Sequence, residues 1–296
     1  MESPHLGEIL SVLAAVVWAF SVVLFRLSGR AMGPLALNFF KNIVAAVLLL
    51  ATFPIVGQSL LRDAPLLDYV LLALSGILGI TVADTLFFKS LNIVGAGLSQ
   101  IVSIAYSPFV ILFTFLFLGE RLTVGDIAGA ALILSGILLT TGVKPPSGLT
   151  RRDLRAGIAI ATLSVALMAL GITIAKPALN RSPVLWATGV RLYAGVLALI
   201  VFTLVSPRRR YVWSTLRPSA AWKFSLPGAV LGAYVAMIIW IAGMKFTQAS
   251  TAAILNQTSA VFVLPIAALV LREPVTRRKL GAVALAIAGV TLVALT

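Results

Sequence analysis

The chain has 296 residues, of which 60% are hydrophobic and 11% charged, with a mean hydropathy of +1.08. That much apolar surface excludes a water-soluble enzyme or binding module and indicates an integral membrane protein. The net charge of +14 does not argue for nucleic acid, because the basic residues fall between apolar runs, where anionic headgroups and topology selection account for them.

A membrane-spanning helix needs roughly 20 mostly apolar residues. By that measure the spans fall near 8–27, 34–53, 67–89, 96–118 and 124–142, then, after a polar connector, near 156–176, 184–206, 223–245, 249–271 and 278–295. The first apolar run lacks a basic segment before it and extends for a full membrane thickness, so it is expected to remain as helix one rather than serve as a cleaved leader. Cysteine is absent and His5 is the single histidine. No metal site, no cofactor and no catalytic residue is therefore expected.

The chain repeats itself. Leu118-Gly119-Glu120-Arg121-Leu122-Thr123 returns 153 positions later as Leu271-Arg272-Glu273-Pro274-Val275-Thr276. At the same offset of 153, Gly79 falls on Gly232, Phe87 on Trp240 and Gly136 on Gly289; at 150, Gly7 falls on Gly157, Arg26 on Lys176 and Lys41 on Arg191. Charges and glycines sharing one register indicate a duplication. The expected architecture is an all-α membrane protein of ten transmembrane helices: one five-helix repeat over 1–142, a connector over 143–153 and a second repeat over 154–296. Five is odd, so the second repeat crosses the membrane in the opposite sense, which is the inverted-topology ground plan of a carrier. Sixteen basic residues lie on the connector side and five with the termini. The positive-inside rule then places the connector in the cytoplasm and both termini outside.

The paired Glu turns, each followed by a glycine-bearing helix and preceded by one that is polar at its start and carries Pro108 or Pro265, resemble the drug/metabolite transporter superfamily, specifically its EamA-type members. The resemblance covers nearly the whole chain and implies a secondary carrier of the bacterial inner membrane, similar to amino-acid exporters. It implies a central cavity lined by helices one, three, four, six, eight and nine, with five and ten at the periphery. Related branches exchange sugar phosphates or nucleotide sugars. Members are commonly drawn with the termini inside, the reverse of what the basic residues indicate here.

Several residues carry candidate chemistry. Asp84 is an acid well inside a span and needs water, a proton or a partner; it is a candidate for proton coupling or for meeting a substrate ammonium, against a structural pair with Lys89 or Lys41. Lys41 and Arg191 occupy matching places in spans two and seven. They serve either an anion or a structural pair, or else snorkel to the interface. Gln100, Ser103, Tyr106, Asn256 and Gln257 are polar in spans four and nine, where they line a wet cavity or join helices. Trp18, Phe87, Phe88, Tyr234 and Trp240 offer aromatic surface, as substrate walls or as packing, whereas Trp186, Trp213 and Trp222 fit an interfacial belt. Glu120 and Glu273 each stand just before a helix and are expected to clamp that turn, with a gate role as the alternative. Gly125-x-x-x-Gly129 suits close packing of span five or a homodimer equally, a monomer being the simpler expectation.

The expected partners are a small-molecule substrate and membrane lipids. A polytopic enzyme lacks support, because the chain has no His-Glu-x-x-His, no Gly-x-Ser-x-Gly and no paired intramembrane aspartates. A channel would want a filter-like loop or a ring of charge, and neither is present.

Overall fold

A computed structural model of the chain describes residues 5–119, 123–141 and 149–294, which are helical nearly throughout. Helix α1 is Leu6–Ser28, α2 Pro34–Ile55, α3 Leu66–Val94 and α4 Ala96–Leu118, and α5 Val124–Thr141. Then come α6 Arg151–Arg181, α7 Val184–Val205 and a short helix, Arg209–Ser214. Helix α8 is Trp222–Phe246, α9 has two segments, Ala249–Asn256 and Ser259–Leu271, and α10 is Arg277–Ala294. Among the described residues seven helices, α1 to α4 and α6 to α8, are long and apolar enough to cross a membrane. Outward-facing Leu50, Leu197 and Leu269 are 61%, 63% and 82% exposed, as lipid contact demands of an all-α membrane protein.

Local chemistry sets the helix ends. Pro34 opens α2, where its missing N–H costs nothing. Thr150 and Asp153 form a reciprocal cap at the start of α6, the Asp153 amide donating to Thr150 Oγ1 at 3.1 Å and the Thr150 amide to Asp153 Oδ2 at 3.1 Å. Gly119 ends α4 in the left-handed region at φ 71°, and Arg272, its counterpart 153 positions on, ends α9 at φ 55°.

The two halves exchange partners in packing. Helix α1 lies against α8 and α9 of the second half, and α6 against α3 and α4 of the first; α2 meets α7, and α5 meets α10. Matched glycines make the close approaches. A Cβ on Gly7 would stand 2.6 Å from the Phe246 carbonyl carbon, and one on Gly157 2.4 Å from Val94 Cγ1. The repeat pair Arg26 and Lys176 also play one part: Arg26 donates to the Asn92 carbonyl at the end of α3 (3.0 Å), and Lys176 to the Met244 and Thr247 carbonyls at the end of α8 (2.5 and 3.2 Å). A cation there satisfies carbonyls that the helix leaves open.

Two irregularities recur in register. Helix α3 widens into a π-helical stretch at Ile77–Ala83 and α8 does so at Ala229–Ala236. Helices α4 and α9 both break midway, at 104–105 and 257–258, which are 153 residues apart. In α4 the break lies four residues before Pro108, whose ring excludes the regular bond to residue 104. In α9 Pro265 is too far along to act so; there the Thr258 hydroxyl takes the Leu255 carbonyl at 2.7 Å, competing with the backbone ladder.

Two expectations are corrected. Glu273 does not clamp the helix that follows it. Its carboxylate accepts from the Ala96 and Gly97 amides at 2.8 and 3.0 Å, capping α4 of the other half, with Arg26 Nε at 4.0 Å. Free amides at any nearby helix start attract a carboxylate, and packing decides which start is near. Its counterpart Glu120 lies outside the described residues. Trp186 is no interfacial belt residue: it is 1% exposed, its Nε1 donates to the Leu60 carbonyl at 2.9 Å, and Tyr69 meets it edge-on.

Candidate functional site: a central cavity between the halves

Where the two halves meet, eight helices enclose a cavity of about 170 Å³. It is lined from α1, α3, α4, α6, α8 and α9, and also from α2 and α7, which contribute Lys41, Asn42 and Arg191. The helices implied by the resemblance are therefore all present, with two more that bring the cations.

Sixteen of the twenty-two lining residues fall in register-matched pairs. At offset 150, Ala14 pairs with Ser164, Trp18 with Met168 and Lys41 with Arg191; at 153, Ile80 pairs with Ala233, Asp84 with Met237, Phe87 with Trp240, Ser103 with Asn256 and Tyr106 with Ser259. Equivalent positions of the two repeats thus contribute to one chamber.

Asp84 meets Lys41 across α3 and α2, with Nζ donating to Oδ2 at 2.6 Å. Lys89, the alternative partner, is exposed. Lys41 also reaches Asn42 Oδ1 at 3.3 Å, and Asn42 Nδ2 donates to Asn38 Oδ1 at 2.7 Å. Asn38 in turn donates to the Ile80 carbonyl at 2.7 Å, inside the wide turn of α3, and to Thr85 Oγ1 at 2.9 Å. The π-helical stretch loosens the backbone ladder, and α2 supplies the amide that takes up a carbonyl there. A buried pair with its polar neighbours satisfied is the arrangement that makes an intramembrane carboxylate tolerable.

Arg191 is placed differently. It is 2% exposed, belongs to no ion pair among the described residues, and its buried Nη1 has no hydrogen-bond partner. Its guanidinium lies over the Trp240 ring, 5.3 Å from the centroid, a cation–π contact that orients it.

Nine of the eleven residues expected to face a cavity do so: Trp18, Asp84, Phe87, Gln100, Ser103, Tyr106, Trp240, Asn256 and Gln257. Gln100 Nε2 donates to Ser259 Oγ at 3.0 Å, while its Oε1, with Tyr106 Oη and Trp240 Nε1, has no hydrogen-bond partner. Gln257 Nε2 is occupied by the Ala253 carbonyl one turn back, at 3.0 Å. Trp18 and Phe87 form one aromatic wall, their centroids 5.9 Å apart.

Phe88 and Tyr234 do not line the cavity. Phe88 is fully buried against Phe25, centroids 5.1 Å apart, because it stands about 100° around the helix from Phe87. Tyr234 turns to α2, where its hydroxyl meets Thr52 Oγ1 at 2.6 Å. Conversely, Asn42, Ser164, Met168 and Met237 line the site and were not singled out by residue type. The repeat register held the signal for the last two, since Met168 is the counterpart of Trp18 and Met237 of Asp84.

The model of the EamA-like transporter family matches the chain twice, over residues 5–142 and 155–295. A solved structure titled "Crystal structure of protein" superposes with a TM-score of 0.72 at 19% sequence identity, covering 98% of this chain and 96% of that one. At that identity the likeness speaks to the fold alone. No curated protein matches the chain.

Proposed function

Because the chain belongs to the EamA-like transporter family, we propose that it exports small metabolites, above all neutral or aromatic amino acids, by alternating access of two inverted five-helix halves. In this reading all ten helices cross the membrane, with the halves at 1–142 and 154–296. The protein works as a monomer in a bacterial inner membrane, and the basic connector faces the cytoplasm. The observation that carries it is the cavity built from equivalent positions of both repeats: rocking one half against the other exposes such a chamber to either face in turn.

The aromatic wall of Trp18 and Phe87 suits an apolar side chain. The amides of Gln100, Asn256 and Gln257 suit the polar end of a substrate. Asp84 is the group on which coupling to a proton would turn, its carboxylate paired with Lys41 until a substrate ammonium or a proton competes for it. Exchange of sugar phosphates is disfavoured: the lining cations are Lys41 and Arg191, and Lys41 is already engaged by Asp84. A phosphate dianion wants several free cations around it.

The test is counterflow into proteoliposomes with a panel of radiolabelled amino acids and sugar phosphates. Accumulation of one or more neutral or aromatic amino acids, weakened by single substitution of Gln100, Asn256 or Gln257, is expected. Accumulation of sugar phosphates alone would refute the reading, and wild-type affinity in all three variants would move the site elsewhere.

A further inference from the structure

The charge pairing of the duplication is broken at one pair of cavity positions. In the first half Lys41 is neutralised by Asp84, 2.6 Å away. In the second half Arg191 stands in the place of Lys41, but the counterpart of Asp84 at offset 153 is Met237, which has no charge to offer. Both Arg191 and Met237 line the cavity. The second cation is present without a matching acid. A guanidinium 2% exposed, with Nη1 unpartnered among the described residues and sharing the field of an Asp84 already bonded to Lys41, is costly to bury in the middle of a membrane protein without an ion pair of its own.

Resting on the reading of the cavity as the transport site, we propose that Arg191 anchors a carboxylate of the transported molecule, which takes the position relative to Arg191 that Asp84 holds relative to Lys41. The Trp240 ring lies against the guanidinium, 5.3 Å from centroid to Cζ. Gly79 stands beside it: a Cβ there would lie 3.7 Å from Nη2, in ordinary contact, and 3.2 Å from Met168 Sδ. Two further buried donors lining the same cavity, Tyr106 Oη and Trp240 Nε1, have no partner among the described residues and are suited to the same oxyanion. One fork-shaped cation with two neutral donors matches a carboxylate, which is planar and singly charged, better than a phosphate. The substrate class is therefore carboxylic acids, amino acids among them, and the carboxylate is the part recognised.

The experiment measures thermal stabilisation of the purified full-length protein in detergent by each of twenty L-amino acids. The most stabilising one is then compared with its methyl ester and with glucose 6-phosphate. The free acid is expected to stabilise and the ester and phosphate are not. Arg191→Gln is expected to weaken the acid by about tenfold or more, as for loss of a charge-assisted bidentate pair, and Arg191→Lys to restore part of the loss. Met237→Asp restores the symmetric ion pair and is expected to abolish binding of the acid while keeping a monodisperse, folded protein; it supplies the test should Arg191→Gln fail to fold. Equal stabilisation by acid and ester, or wild-type affinity in Arg191→Gln or Met237→Asp, overturns the anchor and leaves the cavity in place. Stabilisation by glucose 6-phosphate alone overturns the carboxylate class. No shift with any amino acid or ester defeats the amino-acid reading underneath it, and the anchor falls with that reading.

Discussion

Replacing Gly76 by alanine tests how tightly the halves are joined behind the cavity. An ideal Cβ at Gly76 would lie 2.0 Å from the carbonyl oxygen of Arg191, 2.8 Å from its carbonyl carbon and 3.0 Å from its Cα. Ordinary van der Waals contact begins at 3.4 Å, so the deficit is 3.4 − 2.0, or 1.4 Å. Every clashing atom is backbone, and no rotamer change relieves it; α3 and α7 must separate. Separation also strains the bond from Thr81 Oγ1 to the Gly195 carbonyl, 2.8 Å long in the same interface. Overpacking costs about 1–3 kcal/mol, and a hydrogen bond between membrane helices adds about 0.6 kcal/mol. A destabilisation of about 2 kcal/mol lowers the folded-to-unfolded ratio roughly thirtyfold. The assay is unfolding in mixed micelles of rising sodium dodecyl sulfate, followed by tryptophan fluorescence. Gly33→Ala is the control, since a Cβ there meets nothing nearer than 3.8 Å. Equal midpoints for Gly76→Ala and Gly33→Ala would refute this account of the interface.

Other perturbations read separate parts of the molecule. Lys41→Met strands the Asp84 carboxylate and is expected to cost about 3–5 kcal/mol by the same unfolding assay, whereas Lys41→Met with Asp84→Leu recovers most of it; a double variant no better than the single one would show that the pair does not act as a unit. Asp84→Asn is expected to flatten the dependence of proteoliposome uptake on an imposed pH gradient, and an unaltered gradient dependence removes Asp84 from coupling. Glu273→Gln replaces a charged acceptor of two amides by a neutral one, for an expected loss of about 1 kcal/mol or more. Arg272→Gly relieves a left-handed residue with a side chain and is expected to stabilise by about 1 kcal/mol in the same assay; a loss would mean that the Arg272 side chain contributes more than its backbone strain costs.

The helices were legible in the sequence because membrane thickness and hydropathy fix them almost alone: the expected 96–118 is the observed Ala96–Leu118, and 34–53 differs from Pro34–Ile55 by one half-turn. The site was legible as far as residue type and depth carry it, to Asp84, Gln100 and Trp240 among others. Direction around a helix was not. Tyr234 sits within a π-helical stretch, where the usual 3.6-residue period no longer says which side faces inward. Phe88 was grouped with Phe87 by proximity, although adjacent helical residues point apart. Glu273 finds its partners 176 and 177 residues away, a choice made by tertiary packing that local sequence cannot specify. The broken pair at Met237 was readable from the repeat alone, but only the observed Lys41–Asp84 contact gives that methionine its meaning.

The widened turn at Ile77–Ala83 fixes an angular phase. Each residue advances a helix by about 100°, so the wider winding sets the azimuth of everything after it relative to everything before it. Losing one residue there would swing Asp84 and Phe87 by about that angle, away from Lys41 and off the chamber wall, while leaving the composition and length of the span nearly untouched. The same holds at Ala229–Ala236 for Met237 and Trp240. The inward aim of both walls is thus a matter of winding count, and a hydropathy profile would record such a deletion as silent.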